Sequence, residues 1–412
     1  MVTNPLPSRE IWPVSHPDRN ATVDLPPPSA APEPEARELH PLVRTIVLLA
    51  LLYLFLVAVN GLGAGFKSLG QDLLDTFFAA TENPFVGLMV GILATTLVQS
   101  SSVTTASIVG LVAAPLNPLP VANAIPMIMG ANIGTTVTNT VASLAHMGRK
   151  EEFRRAFAVA TCHDFFNYLA VMVLLPLELA TGFLGRSATA LTRVLSGVGG
   201  ADFDSPIKAA IKAGGHPLEL LAGALGPTEQ WAAAVQIVLS GILIFASLMA
   251  IVAVMRSAMR SRVEALVSRA LGKNAVVAIA VGVVATVMVQ SSSITTSLLV
   301  PLAGAGVLTL GQAFPVTLGA NIGTTVTALL AALAATGENA AAGLTIALVH
   351  LLFNLAGTLL VYPTEAVRNV PLRLARGLAD LAVKSRALAI FYVIVLFYLV
   401  PAAFAFLNQM LR

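Results

Sequence analysis

The chain carries the same polar blocks twice, in the same order. Thr96-Leu97-Val98-Gln99-Ser100-Ser101-Ser102-Val103-Thr104-Thr105 returns as Val287-Met288-Val289-Gln290-Ser291-Ser292-Ser293-Ile294-Thr295-Thr296, an offset of 191 positions. Gly130-Ala131-Asn132-Ile133-Gly134-Thr135-Thr136-Val137-Thr138 returns unchanged as Gly319 to Thr327 at an offset of 189. His163-Asp164-Phe165-Phe166-Asn167 is echoed by His350-Leu351-Leu352-Phe353-Asn354 at 187. Ordered recurrence at a nearly constant spacing makes each half one copy of a single unit of roughly 130 residues.

The medium in which the copies fold follows from composition. With 56% hydrophobic and 11% charged residues and a mean hydropathy of +0.83, a soluble globule is excluded. A formal charge of +3 gives no case for nucleic acid. One cysteine, Cys162, makes no internal disulfide and reads as a small buried residue. Residues 1–41 hold ten of the 24 prolines and no apolar run, which predicts a disordered Pro-rich cytoplasmic tail without the features of a signal peptide.

Spanning helices need about 20 mostly apolar residues. Val43–Val59, Phe153–Leu175, Trp231–Met255, Leu344–Tyr362 and Ala387–Leu407 meet that need. Pro84–Ala145 and Asn274–Gly337 contain no Asp, Glu, Lys or Arg, yet are interrupted by Gly, Pro, Ser, Thr and Asn. Each copy therefore reads as a spanning helix, a connector, a re-entrant helical hairpin broken at Gln-Ser-Ser-Ser, a discontinuous transmembrane helix interrupted at Gly-Ala-Asn-Ile-Gly, and a further spanning helix. Three crossings per copy is odd, so the second copy must be inverted relative to the first. The basic residues give an independent check: with the N-terminus inside, 18 of the 24 Lys and Arg fall on the cytoplasmic side, as the positive-inside rule asks.

The predicted fold class is an all-α integral membrane protein of two inverted-topology repeats plus one extra C-terminal transmembrane helix. Its parts are the tail 1–41, repeat 1 at 42–177, an outer connecting loop at 178–230, repeat 2 at 231–362, a cytoplasmic loop at 363–386, and a last helix at 387–412 that leaves the C-terminus outside. A cell (inner) membrane location follows from this layout.

Gln99, Ser100, Ser101 and Ser102, with Gln290, Ser291, Ser292 and Ser293, put amides and hydroxyls where the backbone breaks inside an apolar stretch. Irregular backbone at membrane depth survives only when buried in protein or lining a watery cavity. Half-helices starting there present free N–H groups and a positive dipole end, a seat for an oxyanion; close helix packing by small residues is the structural alternative. The second block offers hard neutral oxygens suited to an alkali cation: Asn132, Thr135 and Thr138 in one copy, Asn321, Thr324 and Thr327 in the other, through side chains and carbonyls freed by the interruption. A glycine kink for packing is its alternative. Asp164 is the one acid in the apolar body of its helix and faces Leu351 in the other copy, so the halves are chemically unequal. Asn167 and Asn354, one turn beyond His163 and His350, face the broken segments; the histidines read as structural.

With these blocks assembled, the sequence resembles the type II sodium-dependent phosphate cotransporters over Leu42 to Leu407, Phe153-Arg154-Arg155-Ala156-Phe157-Ala158 included. The resemblance implies inward movement of inorganic phosphate coupled to sodium ions, by alternating access, with sodium as the only metal and no organic cofactor. It implies that both Gln-Ser-Ser-Ser blocks line the phosphate and adjoining sodium sites, with Thr324 and Thr327 as cation ligands. In the family an Asp at the position of Asp164 accompanies electrogenic transport and a Gly electroneutral transport. This sequence departs from animal members at His146 and Arg149, where they carry Gln and Asp, and lacks their outer-loop cysteine pair and long C-terminus. A transporter of another oxyanion such as sulfate is the nearest rival, and an intramembrane hydrolase using a Ser with His163 or Asp164 is the rival of another class.

Overall fold

The computed structural model describes residues 40–68, 81–114, 118–198, 206–270, 274–335 and 338–410; most of the proline-rich tail lies outside them. Among the described residues the secondary structure is helical throughout, with no strand. The first copy comprises α1 (Pro41–Ser68), the pair α2 (Pro84–Val98) and α3 (Ser101–Val112), α4 (Val121–Thr135) with α5 (Val137–Ser143), and α6 (Lys150–Thr181). Then come α7 (Phe183–Val198) and α8 (Pro206–Leu225). The second copy repeats the order: α9 (Glu229–Ala270), the pair α10 (Ala275–Val289) and α11 (Ser292–Gly304), α12 (Leu310–Ala334) and α13 (Ala340–Val361). Last are α14 (Glu365–Lys384), α15 (Arg386–Ile394) and α16 (Val400–Met410), the latter two joined through a π-helical turn at Val395–Leu399.

Among the described residues, six helices are long and apolar enough to cross a membrane: Pro41–Gly65, Lys150–Thr181, Glu229–Met255, Leu310–Ala334, Ala340–Val361 and Arg386–Asn408. Their outward faces are unlike those of a water-soluble protein. Leu42, Ile46 and Leu49 on α1, Val238, Ile242 and Phe245 on α9, and Ile390, Phe391, Phe406 and Leu407 on the last helix are all exposed. Contiguous apolar surface of that kind needs lipid around it.

The two copies are built with the same notches. A Cβ on Gly130 of α4 would overlap the Leu88 carbonyl oxygen of α2, and one on Gly319 of α12 would overlap the Ile279 carbonyl oxygen of α10. Their partners Gly91 and Gly282 meet the Met127 and Val316 carbonyls in the same way. Small residues let these helix pairs approach to backbone contact.

That packing corrects the expectation of a discontinuous helix in each copy. Gly130 to Gly134 is helical, and Gly319 to Gly323 lies inside the unbroken α12. The interruption in the first copy falls at Thr136, past the glycines but inside the Gly130–Thr138 block, and the second copy has none. The glycines are spent on close approach, and the polar side chains bond back to their own helix: Asn132 Nδ2 donates to the Ile128 carbonyl at 2.9 Å, Thr135 to Ala131 at 2.8 Å and Thr324 to Ala320 at 3.0 Å. At the Thr136 break the Thr136 amide turns to the Ile133 carbonyl at 3.2 Å, and the Asn132 carbonyl accepts from Asn167 Nδ2 at 2.9 Å instead; the unbroken α12 has no such break.

The stretch 178–230, expected as a loop, holds α7 and α8. Leu184 and Ala188 are buried, and Thr192 shares a hydrogen bond of 2.9 Å with Thr345 of α13, which docks α7 on the second copy. Glu178 caps α7 by accepting from the Leu184 and Gly185 amides. The stretch 363–386 likewise holds α14, an amphipathic helix tied to α6 by Arg154 Nε donating to Asp380 Oδ1 at 2.6 Å.

Candidate functional site

Both hairpins break at the expected residue. Gln99 (φ 56°) and Gln290 (φ 54°) are the non-glycine residues in the left-handed region among the described residues, a conformation costing an L-residue about 1–2 kcal/mol. The glutamine amide compensates by local bonds. Gln99 Nε2 donates to the Thr96 carbonyl and Oε1 accepts from Thr138 at 3.1 Å; Gln290 Nε2 donates to the Val287 carbonyl at 2.8 Å and Oε1 accepts from Thr327 at 3.4 Å. Ser100 and Ser291 then take extended backbone and cap α3 and α11, accepting from the Val103 and Ile294 amides at 3.4 Å each.

The two tips meet at one cavity of about 490 Å³. Gln99 to Ser102 and Gln290 to Ser293 line it with Thr138; Leu248, Met249 and Val252 of α9 and Ile294, Ser297, Leu298 and Pro301 of α11 complete the wall. No charged side chain is among them. The first N–H groups of α3 and α11 have no intrahelical acceptors, and each helix start carries about half a positive charge, so the cavity is neutral in formal charge and rich in donors. Such a lining can receive an anion through hydrogen bonds alone.

The remaining expected residues separate from that cavity. Asn132, Asn167, Asn321 and Asn354 are buried and bonded to one another across the copies. His163 Nε2 contacts Asn321 Oδ1 at 3.1 Å, Asn321 Nδ2 donates to Asn167 Oδ1 at 2.9 Å, and Asn167 Nδ2 to the Asn132 carbonyl at 2.9 Å. Asn354 Nδ2 donates to Asn132 Oδ1 at 3.1 Å and to the His350 carbonyl at 3.0 Å. This network joins α4 and α6 to α12 and α13. Of the expected cation ligands, Thr138 lines the cavity and Thr327 bonds the Gln290 amide; Thr135 and Thr324 bond back to their helices.

Asp164 is fully buried. Its Oδ2 accepts from Tyr392 Oη at 2.8 Å and from Thr140 Oγ1 at 3.2 Å. Next to Thr140, Asn139 Nδ2 donates to Thr296 Oγ1 at 2.7 Å and its Oδ1 accepts from Ser297 at 3.1 Å. Sequence reasoning missed Asn139, Thr140, Ser297 and Tyr392. Aligning the copies position by position would have flagged the first three, since Ala328, Leu329 and Ala106 stand opposite them; Tyr392 lies on a helix without a counterpart. His146 and Arg149 form a surface cluster with Glu152, at 3.9 and 2.7 Å, and the Glu152 hydrogen bond raises the Arg149 pKa further.

Fold and site together define a multi-pass helical membrane protein whose duplicated helix breaks enclose a neutral, hydroxyl-lined cavity. The chain belongs to the Na+/Pi-cotransporter family, which matches residues 54–199 and 242–379. It is 35% identical over 445 residues to sodium-dependent phosphate transport protein 2B of Homo sapiens, covering 87% of this chain and 64% of that protein. It is 35% identical over 429 residues to sodium-dependent phosphate transport protein 2A of Rattus norvegicus, covering 88% of this chain and 67% of that protein. The chain thus spans less than two thirds of the 2B relative's length. No solved structure matches it.

Proposed function

We propose that this chain is a sodium-coupled symporter that imports inorganic phosphate. The observation that carries the reading is the convergence of two matched Gln-Ser-Ser-Ser tips on one uncharged cavity. Phosphate sits between the starts of α3 and α11, held by Ser101, Ser102, Ser292 and Ser293, by main-chain N–H groups and by the dipole ends. Gln99 with Thr138, and Gln290 with Thr327, supply paired oxygens for sodium beside it. Asp164 takes a further sodium, which makes each cycle electrogenic: dianionic phosphate with two sodium ions moves no net charge, and a third adds one.

The copies are inverted in the membrane, each hairpin entering and leaving on one side, with the N-terminus inside and the C-terminus outside. The basic-residue distribution supports this orientation. In this topology Leu248, Val252 and Pro301 lie toward the cytoplasmic half, so the cavity wall continues inward and the conformation suits phosphate release. The buried asparagine network gives α4, α6, α12 and α13 a common frame, against which the hairpins move in alternating access.

The hydrolase alternative finds no support, because neither candidate base lines the cavity that the Ser tips share: His163 sits against Asn321, and Asp164 is held by Tyr392 and Thr140. Paired alanine variants test the reading. Ser101→Ala with Ser102→Ala, and separately Ser292→Ala with Ser293→Ala, should each cut sodium-driven phosphate uptake by more than about tenfold, the worth of one or two lost hydrogen bonds to a charged group. Parental uptake in both would refute it, and stronger inhibition by sulfate than by arsenate would favour the sulfate rival.

A further inference from the structure

Asp164 sits in surroundings that the second copy does not possess. Where the first copy has Asn139, Thr140 and Asp164, the second has Ala328, Leu329 and Leu351. Where the second copy brings Ser297 against Asn139, the first has Ala106. The cluster is thus polar on one side of the repeat relation and apolar on the other. Its remaining member, Tyr392, comes from α15, which belongs to neither copy.

Three observations give this cluster a direction. Ser297 lines the central cavity and donates to Asn139, whose neighbour Thr140 donates to Asp164, so polar side chains run from the cavity wall to the carboxylate. The two hydrogen bonds to the carboxylate both fall on Oδ2, from Tyr392 at 2.8 Å and Thr140 at 3.2 Å, and the Thr136 hydroxyl lies close by. Its other oxygen, Oδ1, is buried and accepts no hydrogen bond in the structure. An unpartnered carboxylate oxygen away from water is costly, and a small monovalent cation is what removes that cost. The Tyr392 ring is fixed by Phe157, Phe165 and Phe397, with centroids 6.5, 6.4 and 6.1 Å away, so its hydroxyl is held in place rather than free to wander.

We propose that Tyr392 is a positioning residue for cation binding at Asp164: with Thr140 it pins Oδ2 and presents Oδ1 to a sodium ion arriving from the cavity past Ser297 and Asn139. The C-terminal helix is then a working part of the transporter and not only a lipid-facing wall. This rests on the sodium-coupled reading above.

The test uses the full chain in proteoliposomes, with phosphate-evoked current and labelled phosphate uptake measured in parallel over a range of sodium concentrations. Tyr392→Phe keeps the ring and its three aromatic neighbours and removes one hydroxyl. Its half-saturating sodium concentration for current should rise about tenfold, as expected for one hydrogen bond to a charged group, and charge moved per phosphate should fall at low sodium. Asn139→Ala, which installs the second copy's residue, should shift sodium dependence in the same direction. If both variants keep the parent's sodium dependence and charge per phosphate, with current and uptake reduced only in proportion, the hydroxyl is structural and the proposal is overturned. If the parent chain itself shows no sodium-driven phosphate uptake, the functional reading fails first, a result distinguishable from either.

Discussion

Asn132 and Asn321 stand at matching positions of the two copies, yet their surroundings predict unequal costs on truncation. Asn321→Ala removes the acceptor of His163 Nε2 and the donor to Asn167 Oδ1. His163 Nδ1 already lacks a partner, so the imidazole would be left with none, and Asn167 Oδ1 would lose its donor from Asn321. Each buried group orphaned costs about 1–3 kcal/mol. Asn132→Ala is milder. Asn354 Nδ2 keeps the His350 carbonyl, and Asn167 Nδ2 bonds the main-chain oxygen of residue 132, which survives the substitution. Both changes open cavities of similar size, so that contribution cancels between them. Asn321→Ala should therefore destabilise the protein by about 2–4 kcal/mol more than Asn132→Ala, measured side by side by denaturant titration in mixed micelles. Adding His163→Phe to Asn321→Ala removes the stranded imidazole and should recover part of the loss, which a double-mutant cycle will register as coupling. Equal losses, or the larger one at Asn132, would refute the reasoning.

Two further outcomes follow from the duplicated packing and the unequal charge. Gly130→Ala and Gly319→Ala each drive a methyl group into a facing carbonyl, and overpacking of this kind costs about 1–3 kcal/mol or more; both variants should lower folded yield in detergent to a similar degree, and a loss at one site alone would deny the matched helix pairs. Asp164→Gly should abolish the phosphate-evoked current while leaving measurable sodium-driven uptake. One net charge in a potential of 100 mV is worth about 2.3 kcal/mol, or roughly fiftyfold in accumulation, and that voltage effect should vanish in the variant. Full current in Asp164→Gly would show that the carboxylate is structural.

Much of the framework was legible because it is written twice. A single Gln-Ser-Ser-Ser in an apolar stretch is ambiguous between a break and a packing seam; two copies at constant offset marked the hairpin tips, which the structure breaks at Gln99 and Gln290. The Gly-Ala-Asn-Ile-Gly blocks misled for a physical reason. Glycine weakens a helix in water, but between packed apolar helices it supplies the notch into which a neighbouring carbonyl fits, and the sequence does not distinguish the two uses. The helices at Phe183–Val198 and Pro206–Leu225 were obscured by Gly, Pro and charge, although the spacing of Leu184, Ala188, Leu191 and Leu195 carries a helical period. Tyr392 was out of reach, since a residue on an unduplicated helix has no second copy against which to stand out.

Whether the paired tips move phosphate with sodium is decided by transport in a defined membrane. The purified chain is reconstituted into proteoliposomes, and labelled phosphate uptake is followed under an inward sodium gradient and, in a matched preparation, an inward potassium gradient. Phosphate should accumulate transiently above its equilibrium level with sodium, and should only equilibrate, or not enter, with potassium. Equal uptake under the two gradients, or none with sodium in a preparation shown to be folded, would contradict sodium-coupled transport.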